Sequence, residues 1–122
     1  MTAPNVLNLT SIVGKSLSVS LTGTTQVGIL TNTDSSNKVF KINTIRATNI
    51  DGTNAADISV GVNVVGTATT QWIARTITVP ADSSLIVVDK TSSFYLEENV
   101  RIIAQASAAN DIDMFVSYED LS

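Results

Sequence analysis

The chain has 122 residues and a net charge of −4, and it contains neither cysteine nor histidine. That length holds one domain of ordinary size. Disulfide frameworks, thiol nucleophiles, thiolate zinc sites and iron–sulfur clusters are excluded, as are the usual general base and the commonest metal ligand.

Residues 1–15 place Pro4 and Gly14 around two short apolar groups, Val6–Leu9 and Ile12–Val13. They read as an extended N-terminal arm, with residues 16–122 forming the folded domain. Ser16–Leu21 alternates Leu17, Val19 and Leu21 with serines, the period-2 signature of a half-buried strand. Gly23-Thr24-Thr25 breaks it, and Val27–Thr31 is the next strand. Asp34-Ser35-Ser36-Asn37 is a turn cluster whose side chains bond their own backbone. Val39–Asn49 is a long strand with Phe40 and Ile42 on one face and Ile45 and Ala47 on the other. That change of phase predicts a bulge or burial on both sides. Asp51-Gly52-Thr53-Asn54 signals a hairpin.

Ile58, Val60, Val62 and Val64 then face one way, against Ser59, Gly61 and Asn63. Gln71–Val79 is closed by Pro80. The run Leu85–Val88, bounded by turns, predicts a strand covered on both faces. Phe94–Leu96 is short, and Glu97-Glu98-Asn99 turns the chain. Val100–Ser107 and Ile112–Glu119 alternate around Ala108–Asp111, which reads as a hairpin loop. No stretch has a helical apolar period.

Valine, isoleucine and threonine supply 42 residues, and such side chains suit a pleated surface better than a helix. Eight to nine short strands, spaced by about 10–13 residues, predict an all-β fold: a single antiparallel β-sandwich with either jelly-roll or immunoglobulin-like wiring. The expected core is Val60, Val62, Trp72, Ile77, Leu85, Val87, Ile102, Met114 and Val116.

The charges exclude further roles. The seven basic residues are scattered from Lys15 to Arg101, without the patch that neutralises phosphates, so no nucleic-acid partner is expected. No apolar run approaches the roughly 18–20 residues of a membrane span, and no signal peptide is read, so synthesis in a cytoplasm is expected. Charged residues are 15%, while serine, threonine and asparagine number 40. A surface so poor in charge is unusual for a free monomer and fits one buried against other subunits, the alternative being a monomeric sandwich.

Candidate chemistry is sparse. Glu97-Glu98 reads as a solvated corner, not the carboxylate pair of a glycosidase. Asp111 with Asp113, and Asp51 with Asp57, supply too few oxygens for calcium. Serines abound, but no histidine activates them. The isolated glycines form no phosphate loop. No catalytic, metal or cofactor residue is expected, and the chain is read as non-enzymatic. Trp72, Phe94 and Tyr95 are candidate partner contacts, since an aromatic at a strand surface can anchor an interface or stack on a sugar ring.

Three stretches carry a likeness to a known group. They are Lys38–Asn43 running into Thr48–Asp57, Thr78–Leu85 with Pro80-Ala81-Asp82-Ser83, and Tyr95–Glu98 running on to Val116–Glu119. Their order and spacing resemble small virion structural proteins of tailed phages, especially those of marine bacteria and cyanobacteria. The resemblance implies a β-sandwich subunit of the phage particle, located in the virion after synthesis in the host cytoplasm. It implies a capsid decoration, or cement, protein that binds the major capsid protein non-covalently as a homo-oligomer, with a trimer suiting that role. The arm, through Val6, Leu7, Leu9 and Ile12, would reach a neighbouring subunit or add a strand to a sheet edge. A head-to-tail connector, neck or tail accessory protein is the alternative within this class. A carbohydrate-binding sandwich using Trp72 and Tyr95 is the alternative outside it.

Overall fold

A computed structural model describes residues 5–122. Its nine described strands are β1 (Ile12–Leu21), β2 (Val27–Asn32), β3 (Val39–Asn49), β4 (Ala56–Val64), β5 (Gln71–Val79), β6 (Ser84–Val88), β7 (Phe94–Leu96), β8 (Val100–Ala106) and β9 (Ile112–Leu121). All described pairings are antiparallel. One sheet runs β1-β9-β3-β6, with β7 also on β3; the other runs β2-β8-β4-β5. The chain crosses repeatedly between the two sheets, and this order is jelly-roll wiring. The immunoglobulin alternative would set the second strand beside the first, which is not found here.

The crossings correct two turn readings. Asp51–Asn54 and Ala108–Asp111 are not hairpins, because β3 and β4 lie in different sheets, as do β8 and β9. Turn chemistry reverses the chain but leaves open whether the next strand pairs beside the last or crosses to the facing sheet. Among consecutive described strands only β4 and β5 pair directly.

The first strand begins at Ile12, four residues before the expected Ser16, and Ile12 already faces Leu121 on β9. Residues 12–15 therefore continue a strand and are not free chain. Before them, Val6–Asn8 forms a single 3-10 turn capped by the Asn5 side chain. The first four residues of the expected arm lie outside the described residues.

The core occupies the space between the sheets. Ile42, Ile45, Ala47, Ile58, Val60, Ile102, Ile112, Met114 and Val116 are all buried there. In β3 the register against β9 shifts between Ile42 and Thr44. The bulge at Asn43 resets the phase, so Ile45 and Ala47 share the inner face with Phe40 and Ile42 instead of facing away.

Bulges and an edge position explain the core residues that sequence periodicity misplaced: the register shifts set Trp72 opposite Gly61 on the outer face, whereas Ile77 faces buried Ile58 but lies on the edge strand β5. Ile77 is 40% exposed, and Trp72 is only half-buried, outside the core cluster. Two register shifts interrupt the β4–β5 pairing, and Thr76 takes a left-handed φ of 53°, unusual for a β-branched residue. The Ser59 hydroxyl accepts a hydrogen bond from the Thr76 amide at 2.8 Å, which supports this turn of the backbone. Val62, Leu85 and Val87 are half-buried against the core. The Leu85–Val88 run is covered on one side only, since Ile86 is 64% exposed.

Two asparagines join the sheets at opposite ends. Asn32 of β2 donates to the carbonyls of Lys38 and Leu96 at 2.9 and 3.0 Å. Asn49 of β3 donates to those of Asn54 and Val79 at the same two distances. Both side chains are fully buried.

Candidate interaction surfaces

The sequence-predicted contacts fall on two separate faces. Near the N-terminus Leu7 is 91% exposed, Leu9 is half-buried and Ile12 is exposed. Nothing is described of the Val6 side chain. The Thr10 and Ser11 amides both donate to the Ser122 carbonyl, at 2.8 and 2.9 Å, so the segment is tied to the end of β9. Tyr95 stands exposed on the same sheet, opposite Lys41 and on its outer face. Its neighbour Phe94 lies opposite Ile42 and packs against the core, because successive side chains of a strand alternate in direction.

Trp72 belongs to the other sheet. It is paired with Gly61 on the outer face, and the Arg75 guanidinium sits 4.3 Å from its ring centroid. That cation–π contact occupies one face of the indole. The structure therefore separates Trp72 from the Leu7, Ile12 and Tyr95 group by the thickness of the sandwich.

A further surface group escaped the sequence reading. Phe115 of β9 and Ile86 of β6 are both exposed on the outer face of the first sheet. The Arg46 guanidinium lies 5.6 Å from the Phe115 ring centroid. Ser16, Ser117 and Thr44 line the same shallow depression. The available signal was Phe115 itself, an aromatic in the polar row of β9 beside Asp113, Ser117 and Glu119.

Carboxylates mostly serve the fold. Asp51 accepts from the Thr53 and Asn54 amides at 2.8 and 3.2 Å, Asp57 from the Thr78 hydroxyl, and Asp113 from that of Ser20. Among the described residues, no three acidic side chains gather as a metal-ligand set. Asp120 is buried, with the ammonium groups of Lys15 and Lys38 each 3.1 Å from its Oδ2. Burial pushes its carboxyl up, but the lysines' hydrogen bonds and charges outweigh that and hold it below the usual carboxylate value.

A group held lower in the folded state contributes stability above its unfolded value, about pH 3.9, and loses it as pH falls through the folded value. Asp51 and Asp89 are lowered as well, chiefly by loop amides for the first and by the Thr91 and Ser92 hydroxyls for the second. Denaturant unfolding should therefore show stability falling between about pH 5 and pH 2. Asp120→Asn should flatten that decline without abolishing it. An unchanged acid slope in this variant would refute the assignment.

No family model matches the chain, and no curated protein matches it. Solved structures do resemble it in fold. A subunit of Bacillus endospore appendages, a family of disulfide-linked pili, aligns over 100% of this chain and 97% of its own, with 15% identity and a TM-score of 0.55. A chain of the acid-stable capsid of Helicobacter pylori bacteriophage KHP30 aligns over 94% of this chain and 90% of its own, with 9% identity and a TM-score of 0.50. Both likenesses extend over nearly the whole of each chain, so the sandwich as a unit is what they share.

Proposed function

We propose that this protein is a structural subunit of a phage particle, a capsid decoration protein bound non-covalently to the major capsid protein. The observation that carries the reading is the whole-length fold likeness to a phage capsid chain. Jelly rolls serve viral capsids, lectins and enzymes alike, so the surfaces must add to the argument. They present Leu7, Ile12, Tyr95, Ile86 and Phe115 to solvent in a chain with only 15% charged residues. Exposed apolar groups of this kind suit contacts with other subunits. In a particle, many repeated weak contacts combine into firm attachment.

The likeness to a pilus subunit supports a second reading, a fibre component. That relative is described as disulfide-linked, whereas this chain has no cysteine, so any fibre it built would need another kind of joint. Purified particles decide between the readings. Density on the capsid surface, with a copy number in step with the major capsid protein, is the expected result. A few copies confined to the neck or tail would replace decoration with the connector alternative. Absence from particles would refute both virion roles and leave the fibre reading. Deleting residues 2–9 leaves β1 paired with β9 and isolates the arm; undiminished particle binding by that variant would rule out an arm contact. Glycan binding at millimolar sugar would instead favour the carbohydrate-binding alternative.

A further inference from the structure

An exposed sheet edge is a template for another strand, and proteins usually guard it with bulges, short strands, prolines or charges. Most edges here are guarded. β2 has a register shift between Gly28 and Leu30. β5 is bulged twice and carries the left-handed Thr76. β6 has five residues and a register shift against β3, and β7 has three residues. β1 differs from all of these. Its ten residues pair with β9 without a shift, it contains no proline, and Ile12 through Ser20 are all exposed or half-exposed.

The free backbone groups of β1 can be assigned. Ser11 and Ser122 exchange both of their hydrogen bonds, at 2.9 and 3.0 Å. Antiparallel pairs alternate, so Val13, Lys15, Leu17 and Val19 direct their amides and carbonyls to β9. Ile12, Gly14, Ser16, Ser18 and Ser20 direct theirs away from the sheet. The side chains divide along the same two rows. The odd-numbered row faces the interior, yet Val13 is 45% exposed and Leu17 and Val19 are only half-buried. The strand that completes this edge must be apolar on the core side and small on the outer side.

We propose that β1 joins two copies of this chain, pairing antiparallel with β1 of the second copy about a two-fold axis near Leu17, so that the two sheets become one. The edge is complementary to itself. Ser16 faces the partner's Ser18, Gly14 faces the partner's Ser20, and the two Leu17 side chains meet on the core side. Lys15 is the only charged residue of the strand and is paired with Asp120 of its own chain at 3.1 Å. In this register it faces the partner's Val19, and the two lysines stand about 13 Å apart, beyond the screening length at physiological salt. A two-fold contact of one surface with itself is the commonest closed arrangement. The joint needs no cysteine and does not depend on the virion reading.

Proline supplies the test. Among the described residues the Ser18 amide has no partner, so Ser18→Pro should leave the β1–β9 ladder intact, as prolines do on edge strands, while blocking the second copy. In sedimentation velocity the full-length protein is expected at twice 12.9 kDa and Ser18→Pro at 12.9 kDa, with unchanged circular dichroism and a thermal midpoint that no longer rises with protein concentration. A second variant, Ser16→Lys with Ser18→Lys, keeps every amide and brings four ammonium groups to the axis; it too should be monomeric. If Ser18→Pro unfolds, this variant decides. A wild-type monomer up to about 0.5 mM, or a dimer persisting in a folded variant, would overturn the proposal. A wild-type monomer that still decorates particles would sink this proposal alone, while a dimer absent from particles would sink only the virion reading.

Discussion

Replacing Gly61 with alanine is expected to destabilise the protein by about 3 kcal/mol, enough to shift the urea midpoint by about 2 M. Gly61 is buried in β4 between Trp72 of β5 and Ile103 of β8. A Cβ there would lie 2.4 Å from the Gln71 carbonyl oxygen, 2.8 Å from Thr70 Cγ2 and 3.0 Å from Trp72 Cα. Two of these atoms belong to the backbone of the bulged β5, so no rotamer change relieves the clash. Gly61 has no left-handed φ, so the constraint is space and not backbone conformation. Gly14 is the matched control, also on a strand but with nothing within 4 Å of an added Cβ. Gly14→Ala should leave the midpoint nearly unchanged. Equal midpoints for the two variants would show that the close approach of β5 is wrong.

Asn49→Ala is expected to cost about 3 kcal/mol in the same assay. The side chain donates to the Asn54 and Val79 carbonyls and accepts from the Asp51 amide at 3.0 Å. Its bond to Val79 links β3 of one sheet to β5 of the other. Alanine removes three hydrogen bonds and leaves polar backbone groups short of partners in a buried setting, which costs more than the bonds' net value in water. Asn49→Asp is the sharper variant. It keeps the shape and the acceptor, loses both donors and introduces a buried charge, so it should be at least as damaging as alanine. A loss under about 1 kcal/mol for both would mean that water replaces the side chain, removing its role as a link between the sheets.

Legibility in the sequence varied with how local the cause was. The strands Val39–Asn49, Gln71–Val79 and Phe94–Leu96 were read with the bounds the structure shows. Alternation and bounding turns are local signals, and they were enough there. Trp72 was misplaced because a two-residue period carries no record of a bulge, and one inserted residue turns later side chains over; Ile77 was misplaced because it faces buried Ile58 from the edge strand β5, where solvent reaches it. The two turns read as hairpins failed for a different reason. Asp51–Asn54 and Ala108–Asp111 encode reversal, whereas the destination of each following strand depends on which inner face it completes.

The candidate surfaces divide in the same way. Tyr95 and Ile12 could be named from sequence as exposed apolar side chains. The arrangement of Phe115, Arg46 and Ile86 could not, because β9, β3 and β6 are brought side by side only by the jelly-roll wiring. Nor could the sequence single out β1 as the unguarded edge, since an edge exists only relative to the sheet order. By itself, the sequence determined an all-β chain without thiol or imidazole chemistry and with little surface charge, because composition and period act through nearest neighbours. Tertiary structure decided the wiring, the bulges, the two asparagine links and the open edge, because each depends on contacts between residues far apart in the chain.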